Sequence, residues 1–136
     1  MQSFDASRAV GAAYTPQLVA YHNNGSAYEQ GQYFQMLIRN IGNHVQAVGK
    51  EHIEIRVVNH ARGADLLLTD GIDSDTKHAL DSLRSCGVRF LMCRNTLAER
   101  GISEDSLYRV QPDDFVASGV AELAKLQADG YSYIHP

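Results

Sequence analysis

Cys93 closes an apolar run, Val88-Arg89-Phe90-Leu91-Met92-Cys93, and the polar segment Arg94-Asn95-Thr96 follows at once. This composition reads as a strand running directly into the start of a helix. In a parallel α/β sheet, strand C-termini and helix N-termini open into one crevice, where ligands and reactive groups collect. A thiol at a helix N-terminus, beside an arginine, is favoured as thiolate, the nucleophilic form. The competing use of the same residue is as a small buried apolar group. Arg94 would stabilise anionic sulfur if its side chain turned inward, although a solvated arginine is the commoner outcome. Cys86 falls late in a helix, just before Gly87. The negative end of the helix dipole disfavours thiolate there, so Cys86 reads as structural. The two cysteines lack the Cys-x-x-Cys spacing of a redox dithiol.

The six histidines are His22, His44, His52, His60, His78 and His135. None forms a His-x-His, His-Glu-x-x-His or Cys-His cluster, so the local sequence supports no metal site and no cofactor. His22 and His60 fall near expected strand C-termini, on the same sheet edge as Cys93. An imidazole there can assist proton transfer or pair with a thiolate, or simply be a hydrogen-bonded loop residue. His78 and His135 read as solvent-facing. Asn23-Asn24-Gly25-Ser26 lacks both glycine-rich phosphate-loop patterns, Ser118 lacks a nucleophile-elbow context, and no carboxylate pair stands out. What remains is a solitary thiol, Cys93, with Arg94, Asn95, Thr96, His22 and His60 as its candidate supports.

The elements that must position these residues alternate between strand and helix. Gln17 to His22 is a β-favouring run that ends in a loop signal. Phe34, Leu37, Ile38, Ile41, Val45 and Val48 recur at helical spacing, and Gly49 stops them. His52 to Asn59 reads as a second strand, followed by a loop from His60 to Asp65 and a helical turn at Leu66-Leu67-Leu68. Asp73-Ser74-Asp75 supplies caps for a helix to about Ser85 that buries Ala79, Leu80 and Leu83. Val88 to Cys93 is apolar enough to be covered on both faces. A short helix, Arg94 to Arg100, is closed by Gly101. A turn at Ser103–Leu107 and a weak strand at Phe115-Val116 precede a last helix from Ser118-Gly119, with Val120, Leu123, Ala124 and Gln127 on one face. Tyr131 to His135 closes the chain as an edge strand. The expected architecture is a three-layer α/β sandwich, with a mainly parallel central sheet flanked by helices. Residues 1–16 read as a flexible N-terminal extension and residues 17–136 as a single domain.

Composition narrows the function. The chain has 136 residues, is 44% hydrophobic, and carries a formal net charge of -4. Nucleic-acid surfaces are basic, and with no tryptophan and scattered tyrosines there is no base-stacking platform, so nucleic acid is not expected as a partner. No apolar run approaches a membrane span. With two cysteines in place of a disulfide scaffold, the expected compartment is the cytoplasm.

Several segments together resemble the DsrE/DsrF-like family of sulfur-relay and intracellular sulfur-oxidation proteins. They are Tyr21-His22, Leu37 to His44, Val57-Val58-Asn59-His60, Gly63 to Leu68, Gly87 to Thr96, Ala117 to Leu123, Leu126-Gln127 and Gly130-Tyr131. The resemblance implies a compact α/β sandwich that assembles as a homotrimer or hexamer. It implies that the cysteine after a central strand carries sulfur as a persulfide between donor and acceptor proteins, and Cys93 is the matching position. The usual His-Gly step after the second strand is replaced here by Asn59-His60-Ala61-Arg62-Gly63. A non-catalytic ligand-binding or assembly module of the same fold is the alternative. The edge strand at Tyr131–Ile134 and the off-stripe Tyr33, Met36 and His44 of the long helix are expected to face other subunits.

Overall fold

Alternation within each strand decides which side chains face which layer. The computed structural model describes residues 13–136 and contains five strands, β1 (Gln17–Asn23), β2 (Ile53–Asn59), β3 (Arg89–Cys93), β4 (Phe115–Val116) and β5 (Ser132–Ile134). Their order is β4-β3-β2-β1-β5, and every pairing is parallel. Val19 and Tyr21, Ile55 and Val57, and Phe90 and Met92 point to one face, while Ala20, Val58 and Leu91 point to the other.

The first face is covered by helices α1 (Gln30–Val48) and α2 (Ser74–Ser85), which supply Leu37, Ile41, Val45, Leu80 and Leu83. Leu97 of helix α3 (Arg94–Arg100) joins the same core. The second face is covered by Leu123 and Leu126 of helix α4 (Gly119–Ala128). The chain therefore leaves β3 toward one face and β4 toward the other. Between the ends of these neighbouring strands lies a topological switch point, where α/β sheets open a crevice. Cys93 and Val116 are paired across it.

The expected sandwich and its central parallel sheet are present, with differences in two places. The segment after β2 is a continuous 3-10 helix, Ala61–Leu67, in place of a loop and a helical turn. It is pinned by Gly63, where any Cβ would collide with the backbone carbonyl of Asn23. Helix α4 buries Leu123 and Leu126, whereas Val120 is 65% exposed. The small sheet residues beneath it, Ala20 and Val58, give this short helix a narrow contact stripe. His44, half-buried on the long helix, is engaged within the chain: its Nδ1 bonds the Tyr21 hydroxyl at 2.8 Å and its Nε2 bonds Gln17 at 2.6 Å. Most of the extension expected at residues 1–16 lies outside the described residues; residues 13–16 are exposed. Among the described residues, no helix is long and apolar enough to cross a membrane.

Candidate functional site, a thiol between two helix starts

Cys93 ends β3 and serves as the N-cap of α3, so its sulfur sits where the first amides of that helix point. Sγ accepts the Thr96 backbone N–H at 3.4 Å. Burial by itself pushes the thiol pKa up. Hydrogen bonds from the Thr96 hydroxyl and from the amides of Thr96, Gly119 and Asn95 outweigh it and bring the pKa below the ordinary value. Gly119 is the first residue of α4, so donors from two helix starts, on opposite faces of the sheet, meet at one sulfur. Thr96 is itself buried, and its Oγ1 accepts the Ala61 amide at 2.9 Å, which leaves its own O–H unused by that bond. Cys93 is 3% exposed. The residues that follow it, Arg94 and Asn95, are exposed, as is Ala117, which follows its strand partner Val116.

The supports expected from the sequence divide. Thr96 and the Asn95 amide are at the sulfur. The side chain of Arg94 is engaged elsewhere: its Nε bonds Glu104 at 3.2 Å and its guanidinium lies over the Phe115 ring at 5.0 Å. The arginine charge is not among the causes of the lowered thiol pKa. A half-exposed guanidinium keeps its hydration by pairing at the surface, which explains the outward turn.

His22 and His60 do come together. Their Nε2 atoms are 2.6 Å apart, with ring planes 10° from parallel and centroids 4.8 Å apart. That centroid spacing is nearly the N–N distance plus two ring radii, so the rings meet edge to edge and nearly coplanar. One proton lies between them, donated by one imidazole to the other. His22 Nδ1 also bonds the Tyr133 hydroxyl at 2.6 Å. Burial, then the neighbouring His60 and His135, push the pKa of His22 down to about 4. Burial, then His135, lower that of His60. Both are neutral at pH 7.

Neither imidazole bonds the sulfur; the link runs through Gly119. A Cβ at Gly119 would stand 3.0 Å from His60 Cβ and 3.1 Å from His60 Cγ. Glycine there lets the start of α4 settle on the His60 side chain while its amide reaches Cys93. His135, expected in solvent, is exposed but lies 4.8 Å from the His22 ring and bonds Asn24 at 3.1 Å. His78 is exposed as expected.

Asn23 and Asn59 are fully buried and were not expected at the site. They end β1 and β2 side by side. Asn23 Nδ2 donates to Asn59 Oδ1 at 2.8 Å and to the Gly63 carbonyl at 3.2 Å. Asn59 Nδ2 donates to the carbonyls of Val57 and Leu91 at 3.0 and 2.9 Å. This network fixes His60 and the start of the 3-10 helix that follows it. A signal was available in the adjacent His-Asn and Asn-His pairs at the two strand ends. Among the described residues, no group of three or more His, Cys, Asp or Glu is arranged to hold a metal ion.

Comparison with known proteins gives the chain its place. No curated protein matches it. A solved structure of the protein MTH1491 from Methanobacterium thermoautotrophicum, of unknown function, is similar at 30% identity and a TM-score of 0.75, covering 88% of this chain and 99% of that one. The ychN protein of E. coli shares the fold at 15% identity and a TM-score of 0.59, covering 90% of this chain and 100% of that one. The profile of the DsrE/DsrF-like family matches residues 17–136, the whole sheet with its switch-point cysteine, and the chain belongs to that family.

Proposed function

We propose that the chain is a sulfur carrier in which Cys93, as thiolate, accepts sulfane sulfur from a donor and holds it as a persulfide. The observation that carries this reading is the place of Cys93 as N-cap of α3, where Sγ accepts the Thr96 amide at 3.4 Å and its neighbours lower the thiol pKa. They favour an anionic sulfur without a metal or a second thiol. In the loading step, the Cys93 thiolate attacks the terminal sulfur of a donor persulfide. A new S–S bond forms at Cys93, the donor's S–S bond breaks, and the donor leaves as a thiolate; a second exchange with an acceptor thiolate reverses the step. The paired His22 and His60 hold an exchangeable proton between their Nε2 atoms, and Gly119 packs against the His60 side chain. In this reading donor and acceptor proteins dock at the sheet edge beside Cys93, where Arg94, Asn95 and Ala117 are exposed. The setting we propose is cytoplasmic, in a homotrimer or hexamer, with residues 17–136 as the single domain. Cyanolysis after incubation with a low-molecular-weight persulfide is expected to release sulfane sulfur from the wild type and from Cys86→Ser, but not from Cys93→Ser. Equal release from Cys93→Ser would sink the proposal.

One observation favours the alternative of a non-catalytic ligand-binding or assembly module: Cys93 is 3% exposed. Under that reading the thiol is an N-cap and packing group. Cys93→Ser, which preserves a capping oxygen, would then keep partner binding and cellular activity in full.

A further inference from the structure

A cavity of about 550 Å³ opens at the other end of β3 from Cys93. Three arginines reach it: Arg84 from the end of α2, Arg89 from the start of β3, and Arg109 from the segment before β4. Two of them are already paired. Arg89 bonds the buried Asp114 through Nε at 2.8 Å and Nη2 at 2.6 Å, and Nη2 also bonds the Asp113 carbonyl at 3.1 Å. Arg109 Nη1 stands 3.3 Å from the Asp81 carboxylate, which also accepts the Tyr108 hydroxyl at 2.9 Å.

Arg84 has no such partner. Its Nη1 and Nη2 are buried and make no hydrogen bond. Its guanidinium rests against the rings of Phe90 and Tyr108 at 5.4 and 5.9 Å, contacts that hold the plane but leave the N–H edge unused. Arginine does not escape the cost by losing its proton, and buried charged donors without acceptors are expensive. Burial, opposed by the nearby Asp81 and Asp114, lowers its pKa, as expected for a cation held without a bonded counter-charge.

We propose that this cavity binds a small oxyanion, a phosphate or carboxylate group, which takes both terminal nitrogens of Arg84 in a bidentate pair. The planar fork of a guanidinium fits two oxygens of such a group. The Nη atoms are covered, so entry requires a neighbour to move. Arg109 suits that role: it is exposed, has a left-handed backbone with φ of 54°, and is held by a surface ion pair of small worth and by the Tyr108 ring at 5.2 Å. Turned from Asp81, it supplies a second cation. The exposed carboxylate of Asp113 at the rim opposes the anion. The site is independent of the sulfur chemistry at the far end of the strand.

The test is titration of the full chain with inorganic phosphate and, separately, with acetate, followed by amide chemical shifts and calorimetry at low salt. Saturable shifts around Arg84, Arg89 and Arg109 are expected, with the tighter of the two ligands identifying the group. Arg84→Met is expected to weaken binding at least about tenfold while raising the thermal midpoint, because it removes a buried unpaired cation. Asp113→Asn is expected to tighten binding, and Cys93→Ser to leave it unchanged. If Arg84→Met does not fold, Arg84→Lys, which keeps the charge but not the fork, is expected to weaken binding in the same direction. No saturation with either anion, or wild-type affinity in the Arg84 variant that folds, would overturn the proposal.

Discussion

Thr96→Val removes one hydroxyl from the sulfur of Cys93 and changes little else in shape. The Thr96 hydroxyl is the foremost of the groups that lower the thiol pKa against the opposing effect of burial. A hydrogen bond to a charged group contributes about 1.5–3 kcal/mol, and sulfur, a diffuse acceptor, belongs at the low end. One pKa unit corresponds to about 1.4 kcal/mol, so the variant should titrate about one unit higher. The amides of Thr96, Asn95 and Gly119 stay in place and limit the shift. The assay is the pH dependence of iodoacetamide alkylation in a Cys86→Ser background, with ultraviolet thiolate absorbance as a second reading. The parent should titrate below an unperturbed cysteine in a short peptide measured alongside it. Thr96→Ser, which keeps the hydroxyl, should match it. The Ala61 amide loses its acceptor in Thr96→Val, at a cost of about 1–3 kcal/mol, so urea unfolding must accompany the titration. The linkage has a sign: a thiol pKa depressed by folding stabilises the chain above the unfolded pKa. That stability is lost as pH falls through the folded pKa, and Thr96→Val should flatten the dependence. A parent titrating at or above the ordinary value, or a valine variant unmoved from the parent, would show that the Thr96 hydroxyl does not stabilise the thiolate.

Other perturbations follow from the same geometry. Arg94→Ala should leave the Cys93 midpoint within a few tenths of a unit, because its guanidinium is with Glu104 and Phe115; a rise of about one unit would show that its charge reaches the sulfur. His22, pushed down to about 4 when folded, takes up a proton more readily unfolded. Stability should therefore fall as pH drops from about 6.5 toward 4 and level off below, and His22→Asn should remove that part of the slope in urea unfolding. An unchanged slope would contradict the neutral histidine pair. Gly63→Ala should cost about 3 kcal/mol or more by denaturant unfolding, since its Cβ would overlap the Asn23 carbonyl; a loss under about 1 kcal/mol would mean that the loop yields easily.

Local signals in the sequence were reliable where the physics is local. Asp73 and Ser118 cap their helices as expected, with Thr76 and Ala121 amides bonded at 2.8 and 3.2 Å. Gly101 closes α3 in the left-handed conformation, and the apolar run ending at Cys93 is a strand covered on both faces. What stayed hidden depends on pieces far apart in the chain. The His22–His60 bond arises from the parallel register of β1 and β2, which sets Asn23 beside Asn59. The Gly119 amide reaches Cys93 because β4 pairs with β3 and the following helix crosses to the other face. No spacing within one segment encodes either. Arg94 followed its neighbours Glu104 and Phe115, and the stripe of α4 followed the small residues under it. The buried asparagines look in sequence like ordinary loop residues, and only the sheet turns them into a network.

The central claim is that Cys93 carries sulfane sulfur. Peptide mass spectrometry after incubation with a persulfide donor, with thiols trapped by alkylation, tests it most directly. The expected result is an added mass of one sulfur atom on the peptide containing Cys93, little or none on Cys86, and loss of that mass when an acceptor thiol is supplied. An adduct on Cys86 alone, or none on either cysteine while the donor is intact and in excess, would contradict it.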